Sequence, residues 1–242
     1  MNPIIRSLYD RKSVRVYTGR PIPEPDVQTI LGAAAQAPTA GNQQLYTILR
    51  VTDPDKKHRL ALSCDHQPFI EQADLVLIFC ADCLRWYSAY LEAGAAPRGP
   101  GVGDLMLAVV DAVIAAQNAV VAAQALGVGS CYIGDIMENV ETHREILGLP
   151  DYVFPAAMLV FGYPTDGQKR RPKPPRFDLA RLVCENTYRV PDPAELRDTF
   201  APKTAGKSYE EWMRAFCLRK YNSDFAREMT RSVGEYLRQY ET

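Results

Sequence analysis

The sequence predicts one α+β domain carrying a helical appendage, and three observations support that expectation. Its 242 residues are ordinary for a single α/β or α+β enzyme and too few for two full domains. Apolar residues make up 47% and charged residues 24%, a globular balance that excludes disordered, collagen-like and coiled-coil classes. Strand-like and helix-like runs are mixed without a regular βα alternation or an internal repeat, and this favours α+β.

From the N-terminus, Ile4, Ile5, Leu8 and Tyr9 share one face of an amphipathic helix. A second helix is expected over 26–36, behind Pro23 and Pro25, with Val27, Ile30, Leu31 and Ala34 at helical spacing. The polar stretch 37–44 (APTAGNQQ) ends it, because its proline and glycine punctuate the helix. Residues 46–52 (YTILRVT) read as a strand, and 74–81 (DLVLIFCA) as a more buried one. A long apolar helix follows over 105–126, stopped by Gly127. A short strand runs between Gly129 and Gly134, Asn139 caps a helix that ends near Gly148 and Pro150, and 156–163 (AAMLVFGY) is a further buried strand. The Pro- and base-rich stretch 165–176 (TDGQKRRPKPPR) is expected to lack regular structure, since proline removes donors and fixes φ. Two more helices are expected near the C-terminus after a linker over about 192–207. Ser208 with Glu211 forms a capping box, and Trp212, Phe216, Tyr221, Phe225, Met229, Val233, Tyr236 and Leu237 supply apolar contacts.

Charge and cysteine content narrow the function classes. Lys and Arg number 28 against 29 Asp and Glu, so no global basic excess exists and no nucleic-acid partner is expected. Six scattered cysteines are too few for a disulfide scaffold. The chain starts without a basic segment followed by an apolar run, so no signal peptide is read and a reducing cytoplasm is the expected compartment. The 105–126 run is long enough to cross a bilayer, but Asp111, Gln117, Asn118 and Gln124 interrupt it. It reads as an alanine-rich helix buried all round, in a core or across a subunit interface, and no membrane partner is expected.

Chemistry has few places to sit. Arg11, Lys12, Ser13 and Arg15 follow the first helix, and in an extended segment 11, 13 and 15 point the same way. Two guanidinium forks and a hydroxyl then suit a phosphate monoester, although a solvated basic turn has the same composition. Lys169, Arg170, Arg171, Lys173 and Arg176 form a second basic cluster after a buried strand, stiffened by proline. Either cluster alone is a soluble loop; together, at the ends of core elements, they favour an anion pocket. The hydroxyl and amides of Thr39, Asn42, Gln43 and Gln44 can read a heterocycle edge or simply build a turn. Dinucleotide, P-loop, zinc-protease and nucleophile-elbow motifs are absent, and only His58, His66 and His143 offer imidazoles. Cys64, His66, Cys80 and Cys83 lack a complete metal-ligand spacing, while Cys131, Cys184 and Cys217 read as packing.

Taken in order, these pieces resemble the FMN-dependent nitroreductase family. The carriers are R-x-S-x-R at 11–15, A-P-T-A-G-N-x-Q at 37–44, Gln67 before Pro68 and Phe69, and the strand ending F-C-A-D. They continue through V-D-A-V-I-A-A-Q-N-A-V-V-A-A-Q-A-L-G-V-G-S-C-Y-I-G, then F-G-Y-P, the basic proline loop and C-E-N-T-Y at 184–188. The match is nearest the oxygen-insensitive, major-type branch of NAD(P)H nitroreductases and flavin reductases. It implies a sandwich with a central, mainly antiparallel sheet flanked by helices, forming an intertwined homodimer with FMN at the interface. Residues 1–190 would form the FMN-binding domain and 191–242 a C-terminal helical extension. By resemblance, Arg11, Lys12, Ser13 and Arg15 hold FMN's phosphate and ribityl chain, with Lys173 and Arg176 as an imperfect phosphate clamp, its spacing widened by an extra proline, and Arg171 as a substitute. Thr39, Gly41 and Gln44 approach FMN, often from the partner subunit. Gln67 contacts the ribityl or ring region, and Tyr132, Ile133, Gly134 and Asp135 line the ring, with Asp135 standing where the branch usually carries glycine. The implied activity is two-step hydride transfer from NADPH or NADH to FMN, then two-electron reduction of a flat acceptor such as a nitroaromatic, quinone or flavin. No catalytic side chain and no metal are needed. A specialised enone reductase or dehalogenase, and a non-catalytic flavin-binding protein, are the alternatives.

Overall fold

The computed structural model describes residues 1–241. Four strands, β1 (Tyr46–Arg50), β2 (Leu75–Asp82), β3 (Gly129–Ile133) and β4 (Val153–Gly162), form one open sheet in the order β1-β2-β4-β3, with every pairing antiparallel. The α+β expectation holds. Central β2 and β4 are buried along their whole length, which is why both read as continuous apolar runs. Side chains alternate across the sheet: Leu75, Leu77, Phe79 and Ala81 of β2 enter one core, and Val76, Ile78 and Cys80 enter the other. Strand β4 begins earlier than expected, at Val153. Pro155, which has no N–H to donate, lies opposite Cys80 beside a register slip between Phe79 and Cys80.

The helices preceding and between the strands are α1 (Pro3–Asp10), α2 (Glu24–Ala35), α3 (Pro54–Ser63), α4 (Pro68–Glu71), α5 (Leu84–Glu92), α6 (Val102–Ala125) and α7 (Val140–Leu147). Helices α2 and α6 cover the first core, while side chains of α3, α4 and α7 close the second. Helix α6 is long and apolar enough to cross a bilayer by length and composition. Ala108, Ala112, Ala115, Ala116, Ala119 and Ala123 are fully buried and bring it close to the sheet. The helix is not buried all round, however: Val102, Met106, Val110 and Val113 form a stripe 40–56% exposed on the other face. The apolar face of α1 is likewise open, with Ile4, Ile5, Leu8 and Tyr9 all exposed.

Several local expectations are corrected. The stretch 165–176 begins with a short helix, α8 (Asp166–Arg170), capped by Thr165; its prolines all lie beyond the last turn. The linker over 192–207 contains α9 (Pro193–Phe200), opened by Asp192 and Glu195 as a capping box. Helices α10 (Tyr209–Lys220), with its Ser208–Glu211 box, and α11 (Asp224–Leu237) follow. Tyr221 is 82% exposed and supplies no core contact, and Cys184 and Cys217 are exposed thiols rather than packing groups. Asn139 precedes α7 in a left-handed conformation (φ 48°) but does not cap it through its side chain, whose amide donates to the Ser63 carbonyl at 2.9 Å. Ser232 of α11 does the capping, its Oγ accepting from Val140 N at 3.1 Å.

The chain divides into two compact units. One runs over Met1–Lys173 and resumes at Glu228, so Tyr236 and Tyr240 near the C-terminus are buried in the first core. The other, Pro174–Arg227, holds α9 and α10 around an aromatic series: Phe177, Phe200, Trp212 and Phe216 have successive ring centroids 5.3, 6.2 and 4.8 Å apart.

Candidate functional site

The segment after α1 lies along the free edge of β3. Ser13 bridges Ser130 in parallel, Val14 N donates to the Ser130 carbonyl at 3.0 Å, and Thr18 N donates to the Tyr163 carbonyl at 2.9 Å. Two facing glycines admit this approach. A Cβ on Gly129 would stand 2.6 Å from the Val14 side chain, and one on Gly162 2.6 Å from the Tyr17 ring. Arg11, Ser13 and Arg15 then gather around β3. The Arg11 guanidinium lies 5.7 Å from the Tyr132 ring centroid and that of Arg15 lies 5.8 Å from the Phe69 ring centroid. Burial pushes the Cys131 thiol up, against the pull of Arg15, Ser13 and Arg11, so a neutral thiol sits where all three converge. Nε and Nη2 of Arg11 are buried with no hydrogen-bond partner. A guanidinium in that state calls for an acceptor, and an anion with several oxygens supplies one.

The turn after β3 completes this edge. Ile133 sends its side chain into the second core and pairs with Met158 of β4, while Gly134 is exposed. Gln67 precedes α4 and donates through Nε2 to the Cys64 carbonyl at 2.9 Å and to Asp135 Oδ1 at 3.1 Å. Behind Asp135 lies buried Glu138, whose carboxyl is pushed up to about 7 by burial and by the like charges of Asp135, Glu228 and Asp65.

Lys12 points away from Arg11, Ser13 and Arg15. Its ammonium donates to the carbonyls of Lys169, at 2.7 Å, and Arg171. Lys173 reaches back to the carbonyls of Leu8, at 3.3 Å, and Tyr9, at the end of α1. These lysines line a cleft of about 550 Å³ together with Gln168, Arg170 and Gly129. Arg176 is exposed and belongs to the Pro174–Arg227 unit.

The loop with Thr39, Gly41 and Gln44 does not join this group within one chain. It leads into β1, at the opposite edge of the sheet, three strand spacings or roughly 14 Å from β3. Thr39 Oγ1 accepts from Gln44 N at 3.1 Å, and Gly41, Asn42 and Gln44 are all exposed. Phe69, Cys131 and Gln168, whose Oε1 accepts from Arg15 N at 3.2 Å, belong to the β3 edge and were not foreseen. An aromatic and a thiol amid apolar neighbours carry no sequence signal beyond packing. Among the described residues no group of three or more His, Cys, Asp or Glu side chains is placed to hold a metal.

Comparison with known proteins gives this geometry its context. The family model "Nitroreductase family" matches residues 8–163. The chain is 32% identical over 238 residues to an FMN reductase [NAD(P)H] of Bacillus subtilis, spanning 98% of this chain and 91% of the relative. It is 33% identical over 194 residues to an oxygen-insensitive NADPH nitroreductase of Salmonella typhimurium, spanning 79% and 77% of the two chains. The solved structure of an NADPH:FMN oxidoreductase from Vibrio harveyi, in complex with NAD+, superimposes with a TM-score of 0.83 at 25% identity, covering 98% of both chains. The chain therefore belongs to the nitroreductase family.

Proposed function

We propose that this protein is an NAD(P)H-dependent flavin oxidoreductase that binds FMN and works as a homodimer. The observation that carries the reading is the Arg11 guanidinium, with two buried nitrogens lacking a partner, set beside Ser13 and Arg15 on the edge of β3. The family's flavin would bring a phosphate with the acceptor oxygens that this strip lacks. FMN, when bound, supplies the ring that takes up and passes on two electrons.

The chain's own residues bind and orient. Arg11, Ser13 and Arg15 hold the phosphate end. Gln67 and the turn of Tyr132, Ile133, Gly134 and Asp135 face the ring, with Gly134 leaving the backbone open to close approach. Thr39, Gly41 and Gln44 reach the same ring from the partner subunit, because their own β3 edge is too distant. The exposed apolar stripe of α6 and the open face of α1 are the surfaces a second copy covers. NADPH or NADH and a flat acceptor, such as a nitroaromatic, quinone or flavin, occupy the ring face in turn. Lys12 and Lys173 support the phosphate strip from behind by tying the basic loop to α1. The six free cysteines suit a reducing cytoplasm.

Absorbance spectroscopy tests the reading. Purified protein incubated with FMN and freed of excess ligand is expected to keep two visible flavin bands, which NADPH or NADH bleaches anaerobically. Protein that stays colourless after this treatment, or coloured protein that neither nucleotide bleaches, overturns it.

A further inference from the structure

Helix α6 carries one carboxylate in the middle of its apolar length. Asp111 is 2% exposed. Its Oδ1 accepts from Ala40 N at 2.9 Å and its Oδ2 from Leu45 N at 3.2 Å, so one side chain binds both ends of the loop that precedes β1. Between those anchors Gly41, Asn42 and Gln44 hold φ values of 56°, 55° and 52°. For non-glycine residues the left-handed region costs about 1 kcal/mol each, and it persists where surroundings over-determine it.

Here the surroundings do so from several sides. The Trp86 indole donates to the Gln43 carbonyl at 2.7 Å, Gln43 N donates to the Ala40 carbonyl at 3.0 Å, and Gln44 N donates to Thr39 Oγ1. These inward bonds leave Gly41, Asn42 and Gln44 facing outward. A buried carboxylate is a poor device for stability alone, since an apolar core of equal volume is often as stable. Its two oxygens serve a different end here, imposing one shape on an exposed, strained loop.

We infer that Asp111 is a positioning residue: from inside the core it sets the conformation in which Thr39, Gly41 and Gln44 meet the flavin, with Trp86 as a second anchor on the same loop. The inference rests on the flavin reading above. Asp111→Asn keeps the size of the side chain but turns an NH2 group toward one of the two N–H donors, so one anchor is lost. Trp86→Phe removes the indole donor and leaves the ring.

The test compares wild type, D111N, W86F and the double variant, each loaded with FMN and held well below its melting temperature. The readouts are the FMN dissociation constant, by quenching of flavin fluorescence, and the visible circular dichroism of bound FMN at saturation. Each single variant is expected to weaken FMN binding about tenfold and to alter the visible dichroism, a signature that lost fold stability alone would not move at saturation. The double variant is expected to lose less than the product of the two, because both act through one loop. A folded D111N with wild-type affinity and dichroism overturns the inference, as do fully multiplicative losses. If D111N does not fold, unchanged values for W86F overturn it instead. Wild-type protein that takes up no FMN removes the flavin reading and this inference with it, an outcome distinct from the others.

Discussion

Glu138 sits at the end of the turn that follows β3, buried, with its carboxyl pushed up from 4.5 to about 7 by burial and three neighbouring carboxylates. The folded chain therefore holds this proton more tightly than the unfolded one. The resulting stability is complete below about pH 4.5 and is lost as pH rises through about 7. His143 carries the opposite sign. Burial pushes it below its ordinary value, its Nδ1 lies 3.0 Å from the Ile136 carbonyl, and its contribution is lost only as pH falls below the ordinary imidazole range. Above pH 7 the two effects separate, since His143 is then neutral in both states. Glu138→Gln is expected to raise unfolding free energy by about 1–2 kcal/mol at pH 8 and to change it little at pH 4.5. Denaturant titrations at the two pH values check this, and an equal gain at both would refute it. At this scale the sequence was partly legible. Alternation along an extended segment placed Arg11, Ser13 and Arg15 together, and the structure gathers them around Cys131. The like-charge pressure on Glu138 was not legible, because Asp65 and Glu228 reach it from distant parts of the chain.

The candidate site along β3 depends on how closely two elements approach, and glycine controls that distance. Gly129 of β3 faces Gly162 of β4, and over them lie the side chains of Val14 and Tyr17, whose hydroxyl donates to the Val14 carbonyl at 3.0 Å. Adding a methyl group at Gly129 would bring Cβ within 2.6–3.0 Å of three Val14 side-chain atoms. Valine is branched at Cβ and has no long stem to swing aside, so the 11–15 segment itself must lift. Gly129→Ala is expected to cost about 1–3 kcal/mol in unfolding free energy and, on the flavin reading, to weaken FMN binding as well. Chemical denaturation and an FMN titration on the same preparation check both halves; unchanged values would show that the segment has room to spare. All four strands and the long helix were legible: β2, β4 and the helix through long apolar runs, and the short β3 through the glycines that bracket it. Helix α3 was not, since only Leu60 and Ala61 of its ten residues are buried, too few to show a period. Helix α9 was hidden in a stretch that reads as a linker, although Asp192 just ahead of it and Glu195 in its first turn carry a capping signature. Helix α8 was obscured by prolines that in fact follow it.

Across the whole sheet, α6 connects the two halves of the candidate site. Asp111 holds the loop leading into β1, and two turns later Gln117 accepts from the Tyr132 hydroxyl of β3 at 3.4 Å. The two sets of residues lie at opposite edges of the same sheet, and on the proposed reading a second copy brings both to one ligand. Sequence reading made α6 an interface helix or a core helix; the structure shows that its alanine face is core and that its Val102, Met106, Val110 and Val113 face is open. The two roles were superimposed because valine and methionine give no sign of whether a neighbour comes from the same chain. Val110 separates them experimentally. It is 50% exposed within one chain, so glutamate there leaves the sheet packing untouched, yet a glutamate at the centre of an apolar dimer face would be desolvated without a partner. Val110→Glu is expected to elute as a monomer with near-wild-type far-ultraviolet dichroism and to bind FMN at least tenfold more weakly, about the loss of one or two charge-assisted hydrogen bonds. Light scattering with an absorbance record of bound flavin measures both quantities on one column run. A dimer that still carries its flavin places the subunit contact elsewhere, and a flavin-loaded monomer would mean that one chain closes the site by itself.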